Sequence, residues 1–383
     1  MSGALAVQAL FEEKFKKKAA FTVRSPGRVN LLGEHTDYNL GFVLPMAIEQ
    51  GTFLAFRIRS DSLLKIYSSS FEEWIEVDLS EPLQKGMEGH WNNYILGVSS
   101  VMQGMSDEGL RGMDVVIFSN LPIGASLSSS ASLELAFARA FWIQLSKPWD
   151  SVLAARLCQR AEHEFAGVAC GIMDQLACSS THEGHAMLLD CRDMKFWDVP
   201  IPDDVVVAIL DSGTRRKLSD GRYNQRRQDC EQAALILGFP SLREIQKSYL
   251  KSHKDILALQ QYRRALHVIE ENERVQKAFA AMKKGESKVL GQMMDEGHRS
   301  LRDLFEVSTP DLDWLVSIAR AQKGCLGARI TGAGFGGCAV AIVKKEHQEE
   351  FSRRVPSIYQ ERTQQVGSLY FSTPQAGCSL EKI

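Results

Sequence analysis

The stretch Leu326-Gly-Ala-Arg-Ile-Thr331, Gly332-Ala-Gly-Phe-Gly-Gly337, Cys338-Ala-Val-Ala-Ile-Val343 decides between two fold classes. Gly332, Gly334 and Gly337 satisfy the G-x-G-x-x-G pattern of a dinucleotide-binding turn. In that role the glycines follow a strand and open a helix, whose free N–H groups meet the pyrophosphate. Here an uninterrupted apolar run follows the last glycine directly, which is the pattern of a buried strand. The expectation is strand, glycine turn, strand, and a dinucleotide fold is rejected.

The rest of the chain agrees. Residues 42–45, 52–58, 63–67, 74–77 and 113–118 read as strands, and helical periodicity follows over 132–145 and 152–165. Strand character returns at 187–189 and 205–210. From 221 to 302 the chain is charged and helical in period, with a break at Gly238-Phe-Pro240. Strand blocks and helix blocks alternate irregularly, which favours an α+β fold over a doubly wound parallel sheet. At 383 residues two domains are expected, 1–190 and 191–383.

Apolar residues make up 44% and charged residues 24%, an ordinary globular balance. The 45 basic and 47 acidic residues give a net charge of -2, so no basic field exists to hold nucleic acid or an anionic membrane. The sequence contains no long uncharged apolar run of transmembrane length. Residues 1–20 read as an amphipathic helix rather than a secretory leader, because Glu12 and Glu13 interrupt a short apolar part. Eight cysteines form no C-x-x-C pair and read as reduced thiols of a cytoplasmic protein.

Three further segments carry polar chemistry. Leu121-Pro-Ile-Gly-Ala-Ser-Leu-Ser-Ser-Ser-Ala131 lies between a strand and a periodic helix. A glycine turn leading serines into a helix N-terminus suits phosphate, and a serine-rich helix cap is the competing reading. No Gly-Lys dipeptide exists, so no Walker loop competes. Arg24-Ser-Pro-Gly-Arg-Val-Asn-Leu-Leu-Gly-Glu-His-Thr-Asp-Tyr38 crowds Arg28, Glu34, His35 and Asp37 together. Such a cluster grips the hydroxyls of a sugar, or else is a solvated loop with a surface ion pair. In Glu162-His-Glu-Phe-Ala-Gly-Val-Ala-Cys-Gly-Ile-Met-Asp-Gln175, local reading leaves Asp174 as either a base or a capping residue.

Taken together, residues 26–39, 41–45, 170–175 and 330–338 resemble the signature motifs of the GHMP small-molecule kinases, the first of them in its galactose-phosphorylating form. The resemblance implies a two-domain α+β fold with mixed sheets and helical layers, and an active site in the interdomain cleft. It implies transfer of the γ-phosphate of ATP to the anomeric hydroxyl of α-D-galactose. Position by position, Glu34, His35, Asp37, Gly171 and Tyr223 would surround the sugar. Gly124, Ala125, Ser126, Leu127, Ser128, Ser129 and Ser130 would wrap the triphosphate, with Trp91 and Tyr94 near adenine. Ser130 and Glu162 would hold Mg²⁺, a set sufficient for a cation that keeps water and phosphate oxygens around one or two protein ligands. Asp174 would accept the proton of the attacking hydroxyl beside Arg28. A monomer, or at most a weak dimer, is expected.

Two rival functions share these motifs. An N-acetylgalactosamine kinase is one, although Thr36, Asn39 and Phe42 resemble the galactose pattern more closely. A non-catalytic galactose and ATP sensor is the other, although Ser129-Ser-Ala-Ser132, part of which such sensors lack, is intact here. One position departs from the family pattern: Ser126 stands where the phosphate loop usually has glycine. Either the serine is forced to positive φ, which is the favoured expectation, or the loop has shifted to let it keep negative φ.

Overall fold

The computed structural model describes residues 3–106, 108–215 and 221–383, so Met1 and Ser2 of the N-terminal helix reading lie outside it. The strands of the first half are β1 (Phe21–Asn30), β2 (Phe42–Val43), β3 (Pro45–Ile58), β4 (Leu63–Ser68), β5 (Glu73–Asp78), β6 (Met113–Ser119) and β7 (His185–Asp190). Those of the second half are β8 (Lys195–Pro200), β9 (Val205–Asp211), β10 (Cys325–Ile330), β11 (Cys338–Lys344), β12 (Ser368–Ser372) and β13 (Ser379–Lys382). The helices are α1 (Gly3–Phe15), α2 (Asn92–Gln103), α3 (Ser129–Trp142), α4 (Ser151–Ala161), α5 (Met173–Ser180) and α6 (Arg222–Ile236). They continue as α7 (Lys247–Ser252), α8 (Leu259–Lys283), α9 (Ser287–Ser300), α10 (Pro310–Arg320) and α11 (Gln348–Thr363).

Among the described residues these strands form a six-stranded sheet ordered β13-β1-β3-β6-β4-β5, a four-stranded sheet β10-β11-β9-β12 and a three-stranded sheet β2-β7-β8. Only β4 and β6 pair in parallel; the other pairings are antiparallel. The α+β expectation holds. Alternation along β3 and β6 explains why their sequences look apolar throughout. Leu54, Phe56, Val115 and Ile117 face α2, α3 and α4, while Phe53, Ala55 and Val116 face α1 through Val7 and Phe11. The apolar run of β11 is covered on both sides for the same reason. Ala339, Ala341 and Val343 join one core with the helices of the second half, and Cys338, Val340 and Ile342 join another with Val29, Leu31, Leu44 and Met46 of the first.

Three differences from the sequence reading bear on function. Residues 24–37 are not a solvated loop: 25 to 37 are all buried, and Arg28 lies within β1. A register shift between Pro26 and Arg28 breaks the β1–β3 ladder there. The helix expected over 132–145 starts three residues earlier, at Ser129, directly after the serine loop. The last strand, β13, pairs with β1, so the chain end returns to the first sheet.

Candidate active site

A cavity of about 800 Å³ opens where the two halves meet, within the size range of small-molecule sites. Its wall contains Arg28, Glu34, His35, Asp37, Trp91, Tyr94, Gly124, Ser126, Leu127, Ser128, Ser129, Ser130, Glu162, Gly171, Asp174 and Tyr223. Of the residues expected at the site, only Ala125 is absent from that wall; it is buried in the core between the halves.

At the centre, Arg28 meets Asp174 bidentately, with Nε donating to Oδ1 at 2.9 Å and Nη2 to Oδ2 at 2.7 Å. Burial works against the Arg28 charge, but Asp174 outweighs it and holds the guanidinium above its ordinary pKa. The Asp174 side chain keeps 27% of its surface open, against 5% for Arg28, so one carboxylate face looks into the cavity. Arg28 Nη1 also donates to Ser126 O at 2.8 Å, and its backbone N–H donates to Leu127 O at 3.1 Å. The first motif therefore anchors the serine loop. Gly27 permits that approach, because a Cβ there would lie 2.7 Å from Leu127 O.

The loop from β6 to α3 turns through three positive φ angles: Gly124 (71°), Ser126 (63°) and Ser128 (61°). Ser128 Oγ donates to Asp174 Oδ2 at 2.7 Å, which commits that hydroxyl to the carboxylate. Ser126 takes the left-handed conformation, as expected for a serine in a glycine position. Its side chain packs towards the third motif, where added Cβ atoms on Gly332 and Gly337 would come within 2.9 Å of Ser126 Cβ and 2.7 Å of its Oγ. A left-handed serine costs about 1–2 kcal/mol. Ser126→Gly is therefore expected to lower the ATP KM by a few-fold, leave the galactose KM unchanged and raise the melting temperature. Steady-state kinetics and a thermal melt check it, and a weaker ATP KM would show that the serine contributes to binding.

The cluster expected around the sugar is equally ordered. Gly171 is required by contact: a Cβ there would lie 1.8 Å from Asp37 Oδ2. Burial, with Asp174 nearby, pushes Asp37 up to about 6. The His35 ring lies 2.9 Å from Tyr38 Oη through Nδ1 and 3.2 Å from Ala333 O through Nε2. It ties the first motif to the third and packs between Tyr38, Tyr223 and Phe305. Glu34 is 1% exposed, paired with Arg329 and accepting from Gly332 N at 3.3 Å. Burial pushes it up to about 7 against the pull of Arg329.

Elsewhere on the wall, Trp91 stacks on Phe71 with centroids 5.2 Å apart and planes 9° from parallel, and its Nε1 donates to Glu73 at 2.9 Å. A five-residue π-helical turn, Glu162–Ala166, carries Glu162 out of α4. Ser130 stands close enough to Glu162 to favour its charged form, so the pair expected to hold magnesium is brought together. Among the described residues no group of three or more His, Cys, Asp or Glu side chains is arranged around a metal position. A hydroxyl and a buried carboxylate with no cationic partner nevertheless fit a magnesium ion that takes its other oxygens from phosphate and water.

Comparison with known proteins agrees with this geometry. A galactokinase galactose-binding signature matches residues 9–58, and the GHMP kinase N-terminal and C-terminal domains match 93–182 and 278–361. The chain is 41% identical to a galactokinase of Chloroflexus aggregans over 380 residues, covering 97% of this chain and 96% of that protein. This chain belongs to the galactokinase family. A galactokinase of Bos taurus is also 41% identical, over 97% of this chain and 94% of its own. The structure of Lactococcus lactis galactokinase complexed with galactose superposes with a TM-score of 0.93 at 34% identity, covering 98% of this chain and 99% of that one. A mevalonate kinase structure at 19% identity and a TM-score of 0.68 shares the fold.

Galactokinase-family motifs lead to the cavity wall but miss two arginines. Arg215 lines the cavity beside Gly124 and is held bidentately by Asp211, at 2.6 and 2.9 Å. Arg329 lies behind Glu34, donating to Glu271 Oε1 at 2.7 Å. Neither belongs to a residue pattern that announces a site. Their partners are supplied by other elements, or by a turn whose shape the sequence does not state.

Proposed function

We propose that this chain transfers the γ-phosphoryl group of ATP to the anomeric hydroxyl of α-D-galactose, giving galactose 1-phosphate and ADP. The observation that carries the reading is the Arg28–Asp174 pair, open on one face and placed between the sugar-side cluster and the serine loop. Asp37, Glu34, Gly171 and Tyr223 enclose the sugar, with His35 bracing their wall. Asp174 orients the anomeric hydroxyl and accepts its proton as the new O–P bond forms and the bond to the β-phosphate oxygen breaks. In a loose transition state proton loss comes late, so alignment counts for as much as basicity. Arg28 offsets the negative charge beside Asp174.

The α3 N-terminus and the Ser129 and Ser130 hydroxyls receive the phosphates, and Arg215 adds a cation on the far side of Gly124. Trp91 and Tyr94, with Phe71, wall the adenine end. Ser130 and Glu162 hold Mg²⁺, which neutralises charge on the phosphates when bound. The cavity is built from one chain, which supports a working monomer. We further place the crossing between two lobes after the β7–β8 hairpin, between β8 and β9 rather than at residue 190, with β13 returning to the first lobe. Among the described residues no helix is long and apolar enough to cross a membrane, and all eight cysteines are free; a cytoplasmic site of action fits both.

The deciding experiment measures ADP release with galactose, N-acetylgalactosamine, glucose and mevalonate. Turnover specific to galactose is expected. Binding of galactose and ATP without ADP release would instead establish a sensor, and preference for N-acetylgalactosamine would reassign the substrate. The sugar site also carries a pH signature. With its carboxyl pushed up to about 6, Asp37 loses its anionic form as pH falls through that value, so the galactose KM rises in acid. The ATP KM does not follow, because the lost acceptor faces only the sugar. Asp37→Asn should raise the galactose KM by about ten- to a hundredfold near pH 8, the equivalent of a hydrogen bond to a charged group, and by less below pH 6, where the wild-type carboxyl is itself neutral. KM values between pH 5 and 8 test both, and a parallel shift in ATP would move the first motif to the other ligand.

A further inference from the structure

Glu134 belongs to none of the motifs, yet it is 0% exposed and sits one helical turn after Ser130 on α3. Gln175 Nε2 bridges it to Glu162, donating to Glu134 Oε2 at 3.2 Å and to Glu162 Oε2 at 2.7 Å. The other oxygen, Glu134 Oε1, is buried with no hydrogen-bond partner among the described residues, and the two carboxyl groups are neighbours across the Gln175 amide. Among the described residues no lysine, arginine or histidine forms an ion pair with either glutamate. Asp174 also bears on Glu162, and its own cation, Arg28, is already committed to it. Buried charges persist in proteins when they are paired or coordinate a metal. Two buried carboxyl groups, an orphaned oxygen and an intervening amide describe a site that lacks its cation.

We propose that Glu134 is a positioning residue of a two-carboxylate cation site. It stands behind Glu162, holds it through Gln175, and supplies the second negative charge that lets the pair take a divalent cation before nucleotide arrives. Glu134 is outside the cavity wall while Glu162 is within it, so Glu162 touches the cation and Glu134 acts through it. The inference rests on Glu162 as the cation-holding carboxylate and goes beyond it in naming the charge that sets affinity.

The test is titration of the full chain with Mn²⁺, followed by electron paramagnetic resonance, without nucleotide or sugar. The wild type is expected to bind one Mn²⁺. Glu134→Gln keeps the shape and removes the charge, and should weaken Mn²⁺ binding about tenfold or more, as loss of a supporting group does. In the metal-free state the same variant should melt at an equal or higher temperature, because a neutral amide replaces a buried carboxyl that has an unsatisfied oxygen. A merely structural Glu134 predicts the reverse pair: a lower melting temperature and unchanged Mn²⁺ affinity. Gln175→Met, which breaks the bridge but keeps both charges, should also weaken binding and serves if Glu134→Gln fails to fold. No Mn²⁺ binding by the wild type, or wild-type affinity in Glu134→Gln or Gln175→Met, overturns the proposal. Glu162→Gln separates the two readings. Should it bind Mn²⁺ normally, the metal assignment itself falls; should it alone lose binding, only the role of Glu134 falls.

Discussion

Asp174→Asn is expected to lower turnover by about a hundredfold or more while the protein still binds galactose. The asparagine retains one oxygen for Arg28 and the shape of the site, but loses the charge that accepts a proton. Its NH2 must replace either Oδ1, which accepts from Arg28 Nε at 2.9 Å, or Oδ2, which accepts from Arg28 Nη2 and Ser128 Oγ at 2.7 Å each, so an arginine donor loses its acceptor either way. Arg28 is 4% exposed and its charge would lose its carboxylate partner, so some stability is lost as well. Turnover must therefore be referred to the folded, galactose-binding fraction, measured by titration calorimetry on the same preparation. Loss of kcat with preserved galactose affinity supports the assignment. Near-normal kcat in the folded fraction would remove Asp174 from the chemistry and leave it the structural partner of Arg28 and Ser128; it does not cap α5, whose N-cap is Ile172.

Arg329→Met is expected to cost about 3–5 kcal/mol of stability, the effect of removing one partner from a buried ion pair. Arg329 is 0% exposed and lies between Glu34 and Glu271, themselves 1% and 0% exposed. Gly297 makes the space, since a Cβ there would lie 2.9 Å from Arg329 Nη1. Without the guanidinium the two carboxylates face each other, with Arg274 left on Glu271 alone, donating through Nε at 2.6 Å. The sign of the pH dependence follows. Glu34 already stands above its ordinary pKa through burial, and losing Arg329 raises it further. Glu271, now held low against the cost of burial by Arg329 first and Arg274 second, would rise too. Protonation then relieves the variant, so its deficit should be largest near pH 8 and shrink as pH falls towards 5. Urea unfolding at the two pH values measures this. A deficit independent of pH would assign the loss to packing rather than charge.

Much of the site is legible in the residues alone. Gly124 to Ser130 can be placed between a strand and a helix because apolar periodicity changes from two to about four across it, a local property. Residues 330–338 resolve into strand, turn and strand for the same reason. The motif resemblance then brings Arg28, Asp174 and Glu162 to one cavity. What it does not show is which hydroxyl goes where. Ser128 is expected on phosphate with its neighbours, yet its hydroxyl serves Asp174, because positive φ at 126 and 128 turns alternate side chains in opposite directions. His35 is expected on the sugar hydroxyls, and the fold places both ring nitrogens within hydrogen-bond distance of protein oxygens.

The sequence by itself determined the α+β class, much of the order of its elements and the rejection of a dinucleotide turn. These are written in periodicity, glycine placement and residue type over short stretches. Tertiary structure alone decided the pairings: Arg28 with Asp174 across 146 positions, Gly33 with Glu271 across 238, and β1 with the last strand of the chain. It also decided that the Glu134 and Glu162 carboxylates share a cationless pocket. A buried charge takes whatever partner the packed core brings within reach, and that partner is selected by chain topology rather than by any neighbour in sequence.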